Sequence, residues 1–181
     1  DDQQILDLRG PGTEVIDLAG RSLLPGFIDA HCHPTSYGAA TLQLICTPDR
    51  IGSIEDLKSA IRARAAEILA GEWIIGRDYI DTEFVEKRHP TRDDLDQAAP
   101  DHPVIIVRTC GHIGVINTRA LEKAGISAAS THPPAGRIER DANGRPNGIL
   151  YEQALFKVRD LAQPGDAAMK QAVRRMNDDF L

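Results

Sequence analysis

Several things are scarce in this 181-residue chain, and each scarcity excludes something. Aromatic residues make up 4% of it, too few for a surface on which nucleobases would stack. Lys and Arg form no basic run and the net charge is −6, so neither nucleic acid nor an anionic membrane is the expected partner. The longest aliphatic run, Val104 to Val107, is far below the roughly 20 residues that cross a bilayer. Three cysteines, Cys32, Cys46 and Cys110, are too scattered for a disulfide framework, which suits a reducing, cytoplasmic setting. No signal-peptide pattern, glycine-rich phosphate loop, nucleophile-elbow serine or paired-cysteine zinc motif is visible.

What remains is an ordinary globular composition, 41% hydrophobic and 27% charged, long enough for one domain with a core. Its most informative stretch runs from Leu23 to Pro34. The apolar pattern of Phe27 to Ala30 predicts a buried strand, and His31 and His33 lie at its exit. Side chains two apart on a strand share a face, so two imidazoles would stand side by side. Glu14 to Leu18 alternates like a short strand, and residues 35 to 52 read as irregular. Ser53 to Ala70 predicts a helix with a capping Ser53, an apolar stripe through Leu57 and Ile61, and Gly71 as its stop. Trp73 to Ile80 reads as a strand interrupted by glycine, Thr91 caps a short helix, and Val104 to Val107 fits a parallel core strand. Asn117 or Thr118 caps a helix closed by Gly125. Asp141-Ala142-Asn143-Gly144 signals a hairpin. Helical spacing follows in Leu150, Ala154, Val158 and Leu161, and after Pro164-Gly165 in Met169, Val173, Met176 and Phe180. Alternating strands and helices favour an α/β fold with parallel strands, and ligands of such folds bind at the carboxyl ends of the strands.

His31, His33 and His112 all fall at such ends. A His-x-His pair is either part of a metal site or two hydrogen-bonded surface histidines. Cys32 between them would face the core. Asp29 either hydrogen-bonds an imidazole or serves a turn. His112, after a core strand and a glycine, has a catalytic or a structural role. Glu152 on its own reads as a solvated helix residue, and His89, His102 and His132, each beside a proline, read as surface residues.

Pro25-Gly26-Phe27-Ile28-Asp29-Ala30-His31-Cys32-His33 resembles the first-strand signature of the amidohydrolase superfamily. Residues 15 to 21 are similar to that family's run-in from a small β-sandwich domain. His89-Pro90-Thr91-Arg92 with Leu95-Asp96, Pro100 to Val104, Gly111-His112 with Asn117, Ala120 and Leu121, and Gly136 to Glu152 resemble the family 3 branch, which includes the N-substituted formamide deformylases.

The resemblance implies an α/β fold, the N-terminal portion of a (β/α)₈ TIM barrel of a metal-dependent hydrolase. It divides the chain into a β-sandwich remnant over residues 1–22 and an incomplete barrel over residues 23–181, with a hairpin insertion near 137–151. It implies hydrolysis of a non-peptide carbon–nitrogen bond in a small-molecule amide, formamide or cyclic amide. His31, His33 and Glu152 would ligate one or two divalent metal ions, zinc first among them. His112 would be an active-site residue and Asp29 a support for His31. Both chain ends read as cut: the chain opens on Asp1 rather than Met with a sandwich strand missing upstream, and the family's later histidine ligands and catalytic aspartate lie beyond Leu181. The chain alone is therefore expected to lack the groups for turnover. Two alternatives stay open: a self-associating, non-catalytic fragment, as a homo-oligomer, and a deaminase of the same superfamily.

Overall fold

The computed structural model describes residues 2–180, and Leu181, expected inside the last helix, lies outside them. The chain splits into two compact units, Asp1–Cys32 and His33–Leu181.

In the first unit the described residues form a short helix, α1 (Asp2–Leu6), and no strand. Both strands expected here, over residues 14–18 and 27–30, are absent, and Phe27 and Ile28 are each 93% exposed. A strand exists only as part of a ladder, and no described residue pairs with these segments. Cys32, expected in the core, is exposed for the same reason.

The second unit holds a six-stranded sheet in the order β1-β2-β3-β4-β6-β5. Its strands are β1 (Leu44–Ile45), β2 (Ile74–Tyr79), β3 (Val104–Arg108), β4 (Ile113–Ile116), β5 (Gly136–Arg140) and β6 (Pro146–Glu152). β1, β2 and β3 are parallel, as expected, but β4, β6 and β5 join in antiparallel fashion. The connections explain the difference. β2 and β3 are separated by a helix, which a parallel crossover needs, whereas only residues 109–112 separate β3 from β4. Residues 35–52 are less irregular than expected, since they contain most of α2 (Pro34–Ala40) and all of β1.

Helices cover both faces. α3 (Ile54–Ala65) starts at Ser53, whose hydroxyl accepts from the Asp56 amide at 3.0 Å, and it ends five residues short of the expected Ala70. α4 (Arg92–Ala98) carries a full capping box between Thr91 and Asp94. Their apolar stripes, Leu57, Ile61 and Leu95, bury against Ile74, Val104, Ile106, Val115 and Ile149. On the other face α5 (Thr118–Lys123) and α6 (Gln153–Leu161) set Leu121, Leu155 and Val158 against Ile105, Ile116 and Leu150. β3 is thus buried on both sides, as its unbroken aliphatic run requires. Each fully buried Leu or Ile contributes about 1.5–3 kcal/mol.

One buried polar side chain ties these layers together. Asn117, fully buried, accepts from the amides of Val104 and Ala120, both at 3.0 Å. It donates to the carbonyls of His102 at 2.8 Å and Ala99 at 3.2 Å. The last helix, α7 (Asp166–Phe180), meets α2 at Gly38, where an added Cβ would lie 3.2 Å from the Ala172–Val173 backbone. Of α7 only Ala172 is buried, so its expected stripe is mostly half-exposed.

Candidate active site

β3 ends at Arg108, and the chain reverses through Thr109, Cys110 and Gly111 into β4. The Gly111 amide donates to the Arg108 carbonyl at 2.8 Å, and its φ of +76° is the left-handed conformation that glycine tolerates. His112 follows. β6 lies beside β4 with Tyr151 opposite Ile113, which brings Glu152 level with His112. The Glu152 amide donates to the His112 carbonyl at 2.9 Å. Their side chains meet as well, His112 Nδ1 lying 2.9 Å from Glu152 Oε2. Glu152 has φ +51°, an uncommon conformation for a non-glycine residue, at the junction of β6 and α6.

The carboxylate accepts only, so Nδ1 is the protonated ring nitrogen and Nε2 is the one available to a proton or a metal. The pair is open to solvent, His112 being 59% and Glu152 50% exposed at the side chain. The Phe156 ring lies against the imidazole with its centroid 6.0 Å away.

A second group of polar side chains surrounds the ends of β2 and β3. Asp81 Oδ1 accepts from Arg108 Nε at 2.7 Å. Burial works against the Asp81 charge, but Arg108 and His89 outweigh it and hold the carboxyl below its usual range. The Cys110 thiol is likewise lowered: burial opposes the thiolate, and the amides of His112 and Ile113 with Arg108 overcome it. Tyr79 Oη lies 2.9 Å from His89 Nδ1, and burial pushes its phenol pKa up. His102 is buried and its Nδ1 lies 3.2 Å from the Glu72 carbonyl oxygen. His89 is half-buried and only His132 is exposed, so two of the three expected surface histidines are structural. Pro90 and Pro103, beside these two, are themselves buried. Tyr79, Asp81 and Arg108 each end or follow an apolar strand, the same signal that singles out His112.

His31 belongs to the first unit and His33 opens the second as the residue before α2. No strand delivers them, contrary to expectation. Asp29 Oδ1 accepts from the His31 backbone amide at 3.0 Å, the geometry of a turn. Imidazole nitrogens and a glutamate suit a divalent metal in kind, but no three His, Cys, Asp or Glu side chains are grouped to hold one among the described residues.

No helix among the described residues is long and apolar enough to cross a membrane. The amidohydrolase family model matches residues 14–180. The chain is 35% identical over 144 residues to the N-substituted formamide deformylase of Arthrobacter pascens, and 36% identical over 144 residues to the putative amidohydrolase YtcJ of Bacillus subtilis. Each match covers 80% of this chain and 27% of the relative, so the chain spans about a quarter of the length of those proteins. The fold is similar to that of an uncharacterized metal-dependent hydrolase from Pyrococcus horikoshii, with a TM-score of 0.61 and 25% identity. That likeness covers 97% of this chain and 33% of the other. The match over residues 14–180 takes in His31, His33, His112 and Glu152, and this chain belongs to the amidohydrolase family.

Proposed function

We propose that the protein hydrolyses a non-peptide carbon–nitrogen bond of a small amide or formamide with the help of a divalent metal, zinc in the first place. The observation that carries this reading is the family match over residues 14–180, joined to relatives named as a formamide deformylase and an amidohydrolase. His31 and His33 are its metal ligands, with Asp29 fixing the backbone turn beneath His31. Glu152 is the acidic residue of the set, as ligand or as partner of His112. When bound, such a metal acidifies water and polarises a carbonyl. His112, with Nδ1 held by Glu152, presents Nε2 to accept a proton from the attacking water or to orient the scissile carbonyl. The setting is a reducing, cytoplasmic one, in which three unpaired cysteines are stable.

The test is metal content by mass spectrometry together with hydrolysis of an N-substituted formamide, both measured on the longer parent protein rather than on the 181-residue chain alone. We expect His31→Ala with His33→Ala to lose both. Unchanged metal content and turnover in that double variant would remove the reading.

A second reading rests on Leu23, Leu24, Phe27 and Ile28, all well exposed. An apolar segment of this kind favours self-association of the chain. Sedimentation velocity checks it, and a monomer at all concentrations contradicts it.

A further inference from the structure

A cavity of about 360 Å³ lies within the second unit, beside α2, strands β2 and β3, and the end of α6. Its volume falls in the range of small-molecule sites. In a chain of net charge −6, its lining is of the opposite sign: Arg77, Arg108 and Arg159 face a single carboxylate, Asp78.

The backbone is bent to make this arrangement. Successive side chains of a regular strand point to opposite faces, yet Arg77 and Asp78 both line the cavity. The pairing of β2 with β3 slips between Arg77 and Tyr79, and Asp78 has φ +70°. Such a bulge re-aims a side chain at a backbone cost.

The carboxylates do not use up the guanidinium donors. Arg77 Nε bonds Asp78 Oδ2 and Arg108 Nε bonds Asp81 Oδ1, each at 2.7 Å. A guanidinium carries five N–H donors, and in these pairs the closest approach is at the Nε edge. Arg159 has no ion-pair partner among the described residues. Its Nη1 donates to the Gly111 carbonyl at a long 3.4 Å. Gly111 lines the cavity too, next to His112.

We propose that this cavity is an oxyanion-binding site, taking the carboxylate or phosphate group of a small ligand between Arg159, Arg77 and Arg108. Planar guanidinium forks match such groups geometrically, which lysines would not. The proposal is independent of the hydrolase reading, since it concerns binding alone.

The test uses the 181-residue chain, ¹⁵N-labelled, titrated with propionate, inorganic phosphate and, as the uncharged control, propionamide. Amide shifts of Thr109 and Gly111 report binding. We expect saturation by at least one anion with a Kd on the order of 1 mM, weakened at high salt. Propionamide should cause no saturable shift. Arg159→Gln, on the exposed face of a helix, should weaken binding about tenfold, with Arg159→Lys between the two. Saturation by propionate assigns a carboxylate and saturation by phosphate a phosphate group. The proposal is overturned if neither anion saturates the shifts, or if propionamide binds as well as propionate. It is overturned equally if Arg159→Gln and Arg77→Gln, both folded by circular dichroism, leave the Kd unchanged.

Discussion

Two aliphatic stretches of this chain have had opposite fates. Val104 to Val107 forms the middle of a sheet, buried by helices on both faces. Leu23 to Ile28, apolar but interrupted by Pro25-Gly26, forms no strand and stays exposed. Strand propensity measures fit to a pleated, half-buried surface, and that surface must be supplied by neighbours. β3 has β2 on one side and β4 on the other, whereas no described residue pairs with Leu23 to Ile28.

The contrast is broken or sharpened most strongly by core truncation. Ile106→Ala should cost about 2–5 kcal/mol in urea unfolding, because the side chain is fully buried. Phe27→Ala should stay within about 0.5 kcal/mol. A large cost at Phe27 would mean that the first unit is covered in solution. Asn117→Ala comes next, at about 2–3 kcal/mol, since it leaves amides and carbonyls of three elements without their buried partner.

A smaller effect depends on pH. Burial disfavours the Asp94 charge, but Arg88 and the amide and hydroxyl of Thr91 outweigh it and hold the carboxyl below its usual value. A depressed folded pKa stabilises above the unfolded value, about 3.9, and this contribution is lost as pH falls through the folded one. Asp94→Asn should therefore cost about 1 kcal/mol at pH 7 and much less at pH 2–3, by urea unfolding at each pH. The smallest effect belongs to the exposed pair: Glu152→Gln should change stability by less than about 0.5 kcal/mol. If Glu152 serves His112, the same change lowers turnover far more than it lowers Tm.

Much of the second unit was legible because its signals are local. The Ser53, Thr91 and Asn117 caps, the Asp141–Gly144 turn and the aliphatic run of β3 each act within a few residues. The antiparallel half of the sheet was not, because Ile113 to Ile116 is short and glycine-containing, and its pairing is fixed by β6 more than thirty residues later. His112 and Glu152 could each be picked out by motif, but their meeting depends on that same register. His31 and His33 were expected on a strand that needs a partner outside their own segment. His102 looked like a loop residue because burial is set by the turn packed over it, which no spacing rule encodes.

Gly38 carries a consequence for how the protein assembles. Backbone-to-backbone contact between α2 and α7 is joined by the Tyr37 and Phe180 rings, 5.2 Å apart, and by Tyr37 to Asp179, separated by 142 residues in sequence. Contacts that close so long a loop form late, after the local helices and the hairpin. With only Gly38 of α2 and Ala172 of α7 buried, this helix pair is also expected to open first. Amide hydrogen exchange should therefore be fastest, among the helices of the second unit, in α2 and α7.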